Sequence, residues 1–268
     1  MTTTPLDDGS VDAYLHRIGL PRRAPSAAAL RELHEAHVRA IPFENIDVLR
    51  GPHPGIGLDV IVDKLVHRRR GGYCFEHALL FAAVLERLGY PVRRRLARVR
   101  PHEPTGSETH LLLTVRAGGQ DFQADVGFGA WIRTPMPLRD GVVVDQAGWE
   151  HRLRRDGEPW VLEKRSADGW TPLHAADERV RRPVDFEVAH HYTSTHPNSP
   201  FTGRLVVMRL GEGVLRRLVG DELVVERADG SRETTRVAPE ELGAVLADLD
   251  VEPPPDALAD LVEHQRRR

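Results

Sequence analysis

The chain has 268 residues, of which 40% are hydrophobic and 29% are charged, proportions that exclude disordered, collagenous and coiled-coil classes. A formal net charge of −3 gives no overall attraction to phosphate backbones or anionic lipid, so we expect neither a nucleic-acid nor a membrane partner. Two basic runs, residues 93–95 and 266–268, are interpreted as a solvated face and a frayed tail. The length predicts two domains, or one core with an appendage, at roughly 150 residues per domain.

No segment has the character of a membrane anchor or a secretion signal. The longest uninterrupted apolar stretch covers residues 78–85, whereas a membrane-spanning helix needs roughly 20 residues. The first ten residues contain neither a basic start nor an apolar core. We therefore expect a protein of the cytoplasm.

Apolar residues at helical spacing dominate the first ninety positions. The helices predicted from this period cover residues 10–18, 26–39, 58–68 and 74–88. Ser10 is the expected N-cap of the first helix, Gly19 its stop, and Pro42 ends the second. The fourth predicted helix is apolar on most sides, which indicates that it is buried.

After Pro91 the pattern changes to short segments rich in Val, Leu and Phe, bounded by Gly, Pro and Asp. Such segments predict antiparallel strands over residues 92–100, 109–116, 120–126, 141–145, 150–153 and 160–165. A mixed region follows, with strands expected at residues 204–210 and 222–227 and helices at residues 239–249 and 256–265. The predicted order is helices, then strands, then a mixed α/β tail.

Cys74 is the single cysteine of the chain, which rules out an intramolecular disulfide and a multi-cysteine zinc site. Gly71 and Gly72 allow a sharp turn just before it, so that Cys74 lies at or near the start of a buried helix. Free backbone N–H groups there stabilise a thiolate and can donate to an oxyanion. On these residues alone Cys74 is either an inert buried thiol or a nucleophile, and a nucleophile needs a base and a group that orients the base.

The register of one hairpin suggests such a base. Gly118 and Gly119 separate two predicted strands and favour a two-residue turn. That turn places His110 opposite Gly127 and brings Asp125 diagonally beside His110 on the same face of the sheet, within reach of a hydrogen bond. A three-residue turn would instead put Asp125 on the opposite face.

Residues 70–77, Arg-Gly-Gly-Tyr-Cys-Phe-Glu-His, resemble the active-site signature of the arylamine N-acetyltransferases. Other segments resemble motifs of that family in the same order along the chain: residues 14–19, 41–45, 109–113, 125–129 and 196–201. The resemblance therefore spans residues 14–201. Ala78 departs from it, since the family commonly has Asn at that position.

The resemblance implies an α+β fold with three regions. These are a helical domain carrying the catalytic cysteine, an antiparallel β-barrel domain carrying the histidine and the aspartate, and an α/β C-terminal lid, over residues 1–90, 91–196 and 197–268. It also implies that Cys74, His110 and Asp125 form a triad similar to that of cysteine proteases. Cys74 and His110 would form a thiolate–imidazolium pair, and Asp125 would orient the imidazole and favour its charged form.

The reaction implied by the resemblance is a ping-pong transfer, in which Cys74 takes an acetyl group from acetyl-CoA and passes it to an arylamine, arylhydrazine or arylhydroxylamine. We accordingly expect acetyl-CoA as a donor substrate, a small aromatic amine or hydrazine as acceptor, and no metal or permanently bound cofactor; homo-oligomerisation is left open. Phe43 and Phe128 match positions near the apolar acceptor pocket, with core packing as the alternative. Arg17 and Glu44 match a buried structural ion pair.

Three other functions compete with this interpretation. An amide synthase that releases a polyketide chain as a macrolactam would use the same triad with a carrier-protein thioester as donor. A metal hydrolase would use His34 with His37, or His190 with His191, but the first pair lacks the H-E-x-x-H spacing and the second would point apart on a strand. A binding module without catalysis would have no need for all three triad residues.

Overall fold

The structure, a computed structural model, describes residues 5–51, 53–103 and 106–267. Helices in this part of the chain are α1 (Asp8–Ile18), α2 (Ala27–Ala40), α3 (Ile46–Arg50), α4 (Leu58–Val62), α5 (Cys74–Arg87), α6 (Pro183–Thr195), α7 (Leu242–Asp248) and α8 (Pro255–Arg266). None of these described helices is long and apolar enough to cross a bilayer. Residues 1–4, in the stretch compared with secretion signals, and residue 268, in the second arginine run, lie outside the described residues.

The strands form two antiparallel sheets. In chain order they are β1 (Phe43–Glu44), β2 (Val92–Val99), β3 (Glu108–Ala117), β4 (Gln120–Ala124), β5 (Met136–Pro137), β6 (Val143–Asp145), β7 (Glu150–Arg155), β8 (Trp160–Ser166), β9 (Gly169–Ala176), β10 (Val206–Leu210), β11 (Val214–Val219), β12 (Glu222–Arg227) and β13 (Arg232–Arg236). The larger sheet has the order β5-β4-β3-β2-β9-β8-β7-β6 and makes a nearly closed barrel. The expected helices followed by an antiparallel barrel are thus confirmed.

The smaller sheet connects the helical N-terminal part of the chain with its C-terminal part. Its order is β1-β10-β11-β12-β13, so that β1, from the helical region, pairs with the C-terminal strand β10. Phe43 lies opposite Met208 and Glu44 opposite Val207. The division into three domains at residues 90 and 196 stays a prediction, and this pairing joins the first of those regions to the third.

The helix ends follow from local hydrogen bonding. The Ser26 side chain accepts a hydrogen bond from the Ala29 backbone N–H at 3.0 Å and caps α2. The N-cap of α1 is Asp7 rather than the predicted Ser10, three residues earlier, because the helix begins at Asp8 and the Asp7 carboxylate accepts from the Ser10 N–H. Gly19 ends α1 in the left-handed conformation, as predicted, with φ of 75°.

The β3–β4 hairpin has the predicted register. Leu113 pairs with Ala124, and the strands are joined by a two-residue turn at Gly118 and Gly119, whose φ angles are 58° and 79°. Positive φ at both central residues matches the right-handed twist of the flanking strands, and glycine adopts it without strain. Because β4 ends at Ala124, Asp125 follows directly after the last paired residue.

Several elements were not predicted from the sequence, namely β1, α3, β5, β9, α6, β11 and β13. The predicted helix at residues 58–68 is α4 continued by a π-helical turn, Asp63–His67. Helix α6 buries Phe186 and Ala189 but exposes Val184 and Val188, so its apolar residues do not follow one face. The two-residue strands β1 and β5 are too short to show a period in the sequence, and a helix that is apolar on two sides shows no clear one.

Helix α5 is the centre of the hydrophobic core and packs against α1, α4 and β3. Behind it runs a directional chain of hydrogen bonds. The Tyr14 hydroxyl donates to His37 Nδ1 at 2.8 Å, His37 Nε2 donates to His77 Nδ1 at 2.8 Å, and His77 Nε2 donates to the Gly72 carbonyl at 3.0 Å. Burial lowers the pKa of His77 to about 4 and that of His37 well below its usual value, so both rings are neutral. This series of hydrogen bonds fixes the position of the Gly72 carbonyl, two residues before Cys74.

We expect the free energy of unfolding to fall as the pH drops from 6.5 towards 4. His37 and His77 take up protons near pH 6.5 in the unfolded chain but stay neutral when folded, so the unfolded state binds more protons in this window. Each such histidine contributes a slope of about 1.4 kcal/mol per pH unit. Urea denaturation at pH 7, 6 and 5 measures this slope. His77→Gln should lower it, while exposed His102→Gln should not; equal slopes in all three proteins would contradict the account.

Candidate active site

Cys74 is the first residue of α5 and follows the extended residue Tyr73, which confirms the predicted start of this helix. Its side chain is buried, with 4% of the residue exposed. The thiol donates to the Thr109 carbonyl, with sulfur and oxygen 3.9 Å apart, and also interacts with the His110 ring. The helix therefore directs the thiol at the start of β3.

The His110 ring connects this thiol to a carboxylate. His110 Nε2 lies 2.9 Å from Asp125 Oδ2 and 3.0 Å from Oδ1, the hydrogen bond that the two-residue turn predicted. Both residues are buried. Since Nε2 is the atom bound to Asp125, Nδ1 is the ring nitrogen left for Cys74. The structure thus brings together Cys74, His110 and Asp125.

Electrostatics favour the charged forms of the histidine and the aspartate. Burial by itself lowers the pKa of His110, but the charge and hydrogen bond of Asp125, with a smaller contribution from Cys74, outweigh burial and raise that pKa above its usual value. Burial raises the pKa of Asp125, but His110, and then His174, outweigh it and hold that pKa well below its usual range. Asp125 therefore holds His110 as an imidazolium.

A second histidine, His174 on β9, contacts the same carboxylate. Its Nε2 lies 3.2 Å from Asp125 Oδ2, and its ring centroid is 5.5 Å from that of His110. Burial lowers the pKa of His174, which favours its neutral form. His174 was not predicted as a site residue because β9 was not predicted, and the pairing of His174 with Val99 in the nearly closed sheet brings it to the site.

His110, Asp125 and His174 each offer one atom that could bind a metal ion, a ring nitrogen or a carboxylate oxygen. These three atoms lie within 4.8 Å of one another, and such a cluster can hold a metal ion. The 2.9 Å between His110 Nε2 and Asp125 Oδ2 is a hydrogen-bonding distance, so these two atoms are already paired with each other. His34 and His37 do not belong to such a cluster in the described part of the chain.

The histidines of the metal-hydrolase alternative have other partners. His34 Nε2 accepts from the Asp125 backbone N–H at 3.0 Å, and its Nδ1 donates to the Arg133 carbonyl at 2.8 Å. His34 therefore orients the backbone of the aspartate. His190 lies on helix α6 rather than on the expected strand, and it hydrogen-bonds to the Tyr73 hydroxyl.

The two candidate pocket aromatics have different surroundings. The Phe128 ring is half-buried, with its centroid 5.4 Å from that of His110. Phe43 is buried and packs on Phe201, at a centroid distance of 5.8 Å, and a side chain at Gly129 would lie 2.8 Å from its ring. Phe128 thus borders the imidazole, whereas Phe43 is part of the adjoining core.

The predicted ion pair of Arg17 with Glu44 is wrong. Glu44 is fully buried, and its carboxylate accepts from Arg70 at 2.6 Å, with Lys64 Nζ at 3.8 Å. Arg17 instead donates to the Arg69 carbonyl at 3.4 Å. The reason is topological: the Glu44 N–H donates to the carbonyl of residue 72, so β1 lies against the turn that carries Arg70.

Further charges complete a cluster beneath the turn at residues 71–74. Lys64 Nζ lies 2.9 Å from Glu76 Oε1 and 2.7 Å from Asp47 Oδ2. Glu76, in the first turn of α5, also accepts from the Tyr73 backbone N–H at 3.0 Å and so satisfies one of the free donors at the start of the helix. Two basic and three acidic side chains therefore hold the segment that presents the thiol.

The segment after Asp125 also touches the thiol-bearing residue. Gly127, which the sequence analysis placed opposite His110, lies beyond the paired part of the hairpin and packs on the Cys74 backbone. A Cβ atom at position 127 would lie 2.9 Å from both Cys74 Cα and the Cys74 carbonyl oxygen. Glycine is required there by close approach.

The comparisons with known proteins agree on one protein family. An N-acetyltransferase family model matches residues 26–249. The arylamine N-acetyltransferase of Mycolicibacterium smegmatis is 38% identical over 232 residues, which cover 83% of this chain and 84% of that protein. The crystal structure of Nocardia farcinica arylamine N-acetyltransferase superimposes with a TM-score of 0.90 at 39% identity, over 97% of this chain and 95% of that one. Mycobacterium marinum arylamine N-acetyltransferase, solved in complex with CoA, has a TM-score of 0.86 at 33% identity, over 96% and 97% of the two chains.

We expect Arg70→Met to lower the free energy of unfolding by about 3–5 kcal/mol, because it leaves the Glu44 charge buried without its partner. Arg17→Met should cost about 1 kcal/mol or less. Double-mutant cycles with Glu44→Gln, measured by urea denaturation, should give a coupling energy above about 1 kcal/mol for Arg70 and close to zero for Arg17. A substantial coupling energy between Arg17 and Glu44 would instead support the ion pair predicted from the sequence.

Gly127→Ala should slow the alkylation of Cys74 by iodoacetamide while the protein stays folded. The added methyl group must displace the Cys74 backbone, and a misplacement of about 1 Å in such a site costs roughly 100-fold in rate. Intact-mass spectrometry over time measures the rate. Gly9→Ala is the matched control, since the nearest atom to its Cβ would be an Asp7 side-chain oxygen at 3.5 Å. Equal alkylation rates in both variants would show that the contact does not position the thiol.

Proposed function

The chain belongs to the arylamine N-acetyltransferase family, and from that premise we propose that Cys74 carries the acetyl group in a two-step transfer from acetyl-CoA to the nitrogen of an aromatic amine. The protein is an acyltransferase of this family. One observation supports these catalytic roles. The Cys74 thiol, the His110 imidazole and the Asp125 carboxylate are buried together near the start of α5.

The first step forms a thioester on Cys74. In the resting pair the proton of Cys74 is already held on His110 Nδ1, and the Cys74 thiolate attacks the carbonyl carbon of acetyl-CoA. Backbone N–H groups of the first turn of α5 can donate to the oxyanion of the tetrahedral intermediate. When the intermediate collapses, the bond to the CoA sulfur breaks, the acetyl group stays on Cys74, and His110 gives its proton to the departing CoA thiolate.

The second step transfers the acetyl group to the acceptor. The amine nitrogen attacks the acetyl-Cys74 carbonyl, His110 takes the proton that the nitrogen loses, and the Cys74 sulfur leaves. An aromatic amine is weakly basic and is therefore neutral and nucleophilic at pH 7. Asp125 keeps His110 oriented and stabilises its charge in both steps, while neutral His174 contacts the same carboxylate oxygen as His110.

The acceptor is proposed to lie beside Phe128, whose ring borders His110, with Phe43 behind it. Arylhydrazines and arylhydroxylamines have the same combination of an apolar ring and a nucleophilic nitrogen. Acetyl-CoA is a substrate in this scheme and no permanently bound cofactor takes part in it. The related enzyme solved with CoA supports this donor over the carrier-protein thioester of a macrolactam-forming amide synthase.

Incubation with acetyl-CoA, without an amine, should add one acetyl group to the protein, as seen by intact-mass spectrometry. Cys74→Ala should give no adduct. Asp125→Asn should slow its formation at pH 7 by at least about 100-fold, because loss of the carboxylate charge lowers the pKa of His110 and removes the imidazolium that supports the thiolate. Asp121→Asn is the matched control on the same hairpin and should react at the rate of the unmodified protein.

Addition of an aniline or an arylhydrazine to the acetylated protein should then remove the adduct and yield the N-acetylated product. A folded protein with a free thiol that forms no adduct would overturn acetyl-CoA as donor and favour the carrier-protein reaction. An adduct that persists in Cys74→Ala would instead overturn Cys74 as the acetyl carrier.

A further inference from the structure

The segment that carries Asp125 leaves the barrel sheet just before the aspartate. Strand pairing between β3 and β4 ends at Ala124, so it does not extend to Asp125. Residues 125–133 then form a loop, which also contains Phe128, the ring that lies 5.4 Å from the His110 ring between centroids. The position of this loop therefore sets where the Asp125 carboxylate lies.

One imidazole, that of His34 on α2, binds both ends of this loop. Its Nε2 accepts a hydrogen bond from the Asp125 backbone N–H at 3.0 Å, and its Nδ1 donates to the Arg133 carbonyl at 2.8 Å. Because one ring nitrogen accepts and the other donates, the ring is neutral and carries its proton on Nδ1. Burial lowers the pKa of His34 to about 4, which keeps the ring in this form at pH 7.

His34 is itself held in place by its surroundings. The residue is fully buried, and its ring packs edge-on against Phe81 of α5 at a centroid distance of 5.9 Å. The far end of the loop is anchored separately, because Gln146 Oε1 accepts from the Arg133 backbone N–H at 2.8 Å. The imidazole thus joins Asp125 to two fixed parts of the fold, helix α2 and the anchored end of the loop.

We propose that His34 is a positioning residue of the active site and acts through Asp125. By holding the Asp125 backbone against α2, it keeps the carboxylate within hydrogen-bonding distance of His110 and so sustains the reactivity of Cys74. This role depends on the proposed function, in which Asp125 orients His110. Misplacement of a catalytic group by about 1 Å costs roughly 100-fold in rate, so loss of the hydrogen bond to Asp125 has a measurable effect.

The rate at which iodoacetamide alkylates Cys74 at pH 7, followed by intact-mass spectrometry, tests this role without any acetyl donor. His34→Leu removes both hydrogen bonds and should slow alkylation roughly 10- to 100-fold. Asp125→Asn should also slow it, because His110 loses its counter-charge. In protein that already carries Asp125→Asn, His34→Leu should slow alkylation by less than about 3-fold more, since His34 then has no carboxylate to position.

Leu30→Ala is the matched control. Leu30 is also fully buried and lies one turn before His34 on α2. Its truncation should lower the stability of the protein and leave the alkylation rate of the folded protein unchanged. If Leu30→Ala slowed alkylation as much as His34→Leu does, loss of packing would explain the effect, and the role of His34 would be overturned.

Two amide substitutions separate the two hydrogen bonds and keep the test decisive if His34→Leu does not fold. A Gln amide oxygen occupies the place of Nε2 and accepts from the Asp125 N–H, whereas the shorter Asn reaches only the place of Nδ1. His34→Gln should therefore react within about 3-fold of the unmodified rate, and His34→Asn at least about 10-fold more slowly. Equal rates in these two variants would overturn the proposal.

The remaining outcomes distinguish His34 from the function on which its role depends. An unchanged rate in folded His34→Leu, with Asp125→Asn still slow, would overturn the role of His34 alone. Equal slowing by His34→Leu with and without Asp125→Asn would show that His34 does not act through Asp125. Full reactivity of Asp125→Asn would overturn the proposed role of Asp125 and that of His34 with it. Expected alkylation rates in a protein that forms no adduct with acetyl-CoA would support His34 and contradict only the donor.

Discussion

A cluster of opposite charges beneath the turn at residues 71–74 is the constraint on which the proposed active site depends. Arg70 holds Glu44, and Lys64 holds Glu76 and Asp47. Any shift of the turn would separate charges that are buried, and an unpaired buried charge is far less stable than a paired one. The cluster therefore allows one position for the start of α5. Through Glu44, which lies on β1, it also joins the helices to the C-terminal sheet.

The candidate nucleophile and its base come from different parts of the fold and meet by close packing. Cys74 begins a buried helix, while His110 and Asp125 belong to a hairpin of the barrel. Gly127 lies against the Cys74 backbone, so the segment after the hairpin approaches the helix too closely for a side chain at position 127. His174 reaches Asp125 from a third segment. Asp125 Oδ2 thus contacts both a charged and a neutral histidine.

Much of this site could be predicted from the residues. Gly118 and Gly119 specify a two-residue turn, and the turn sets the register that brings Asp125 to His110. The glycines before Cys74 and the apolar run after it indicate a thiol at the start of a buried helix. These inferences succeed because each depends on neighbours in the sequence or on one hairpin.

Local residue order by itself determined most helices, most strands, the hairpin register and the position of the thiol, because backbone propensity and turn geometry act over a few residues. Only the tertiary structure decided which arginine pairs with Glu44, that His174 contacts Asp125, and that Arg95, in a basic run expected to be solvated, is buried. Long charged and aromatic side chains reach whichever segment lies beside them. That neighbour is set by the closure of the barrel and the pairing of β1 with β10, contacts between residues far apart in the chain.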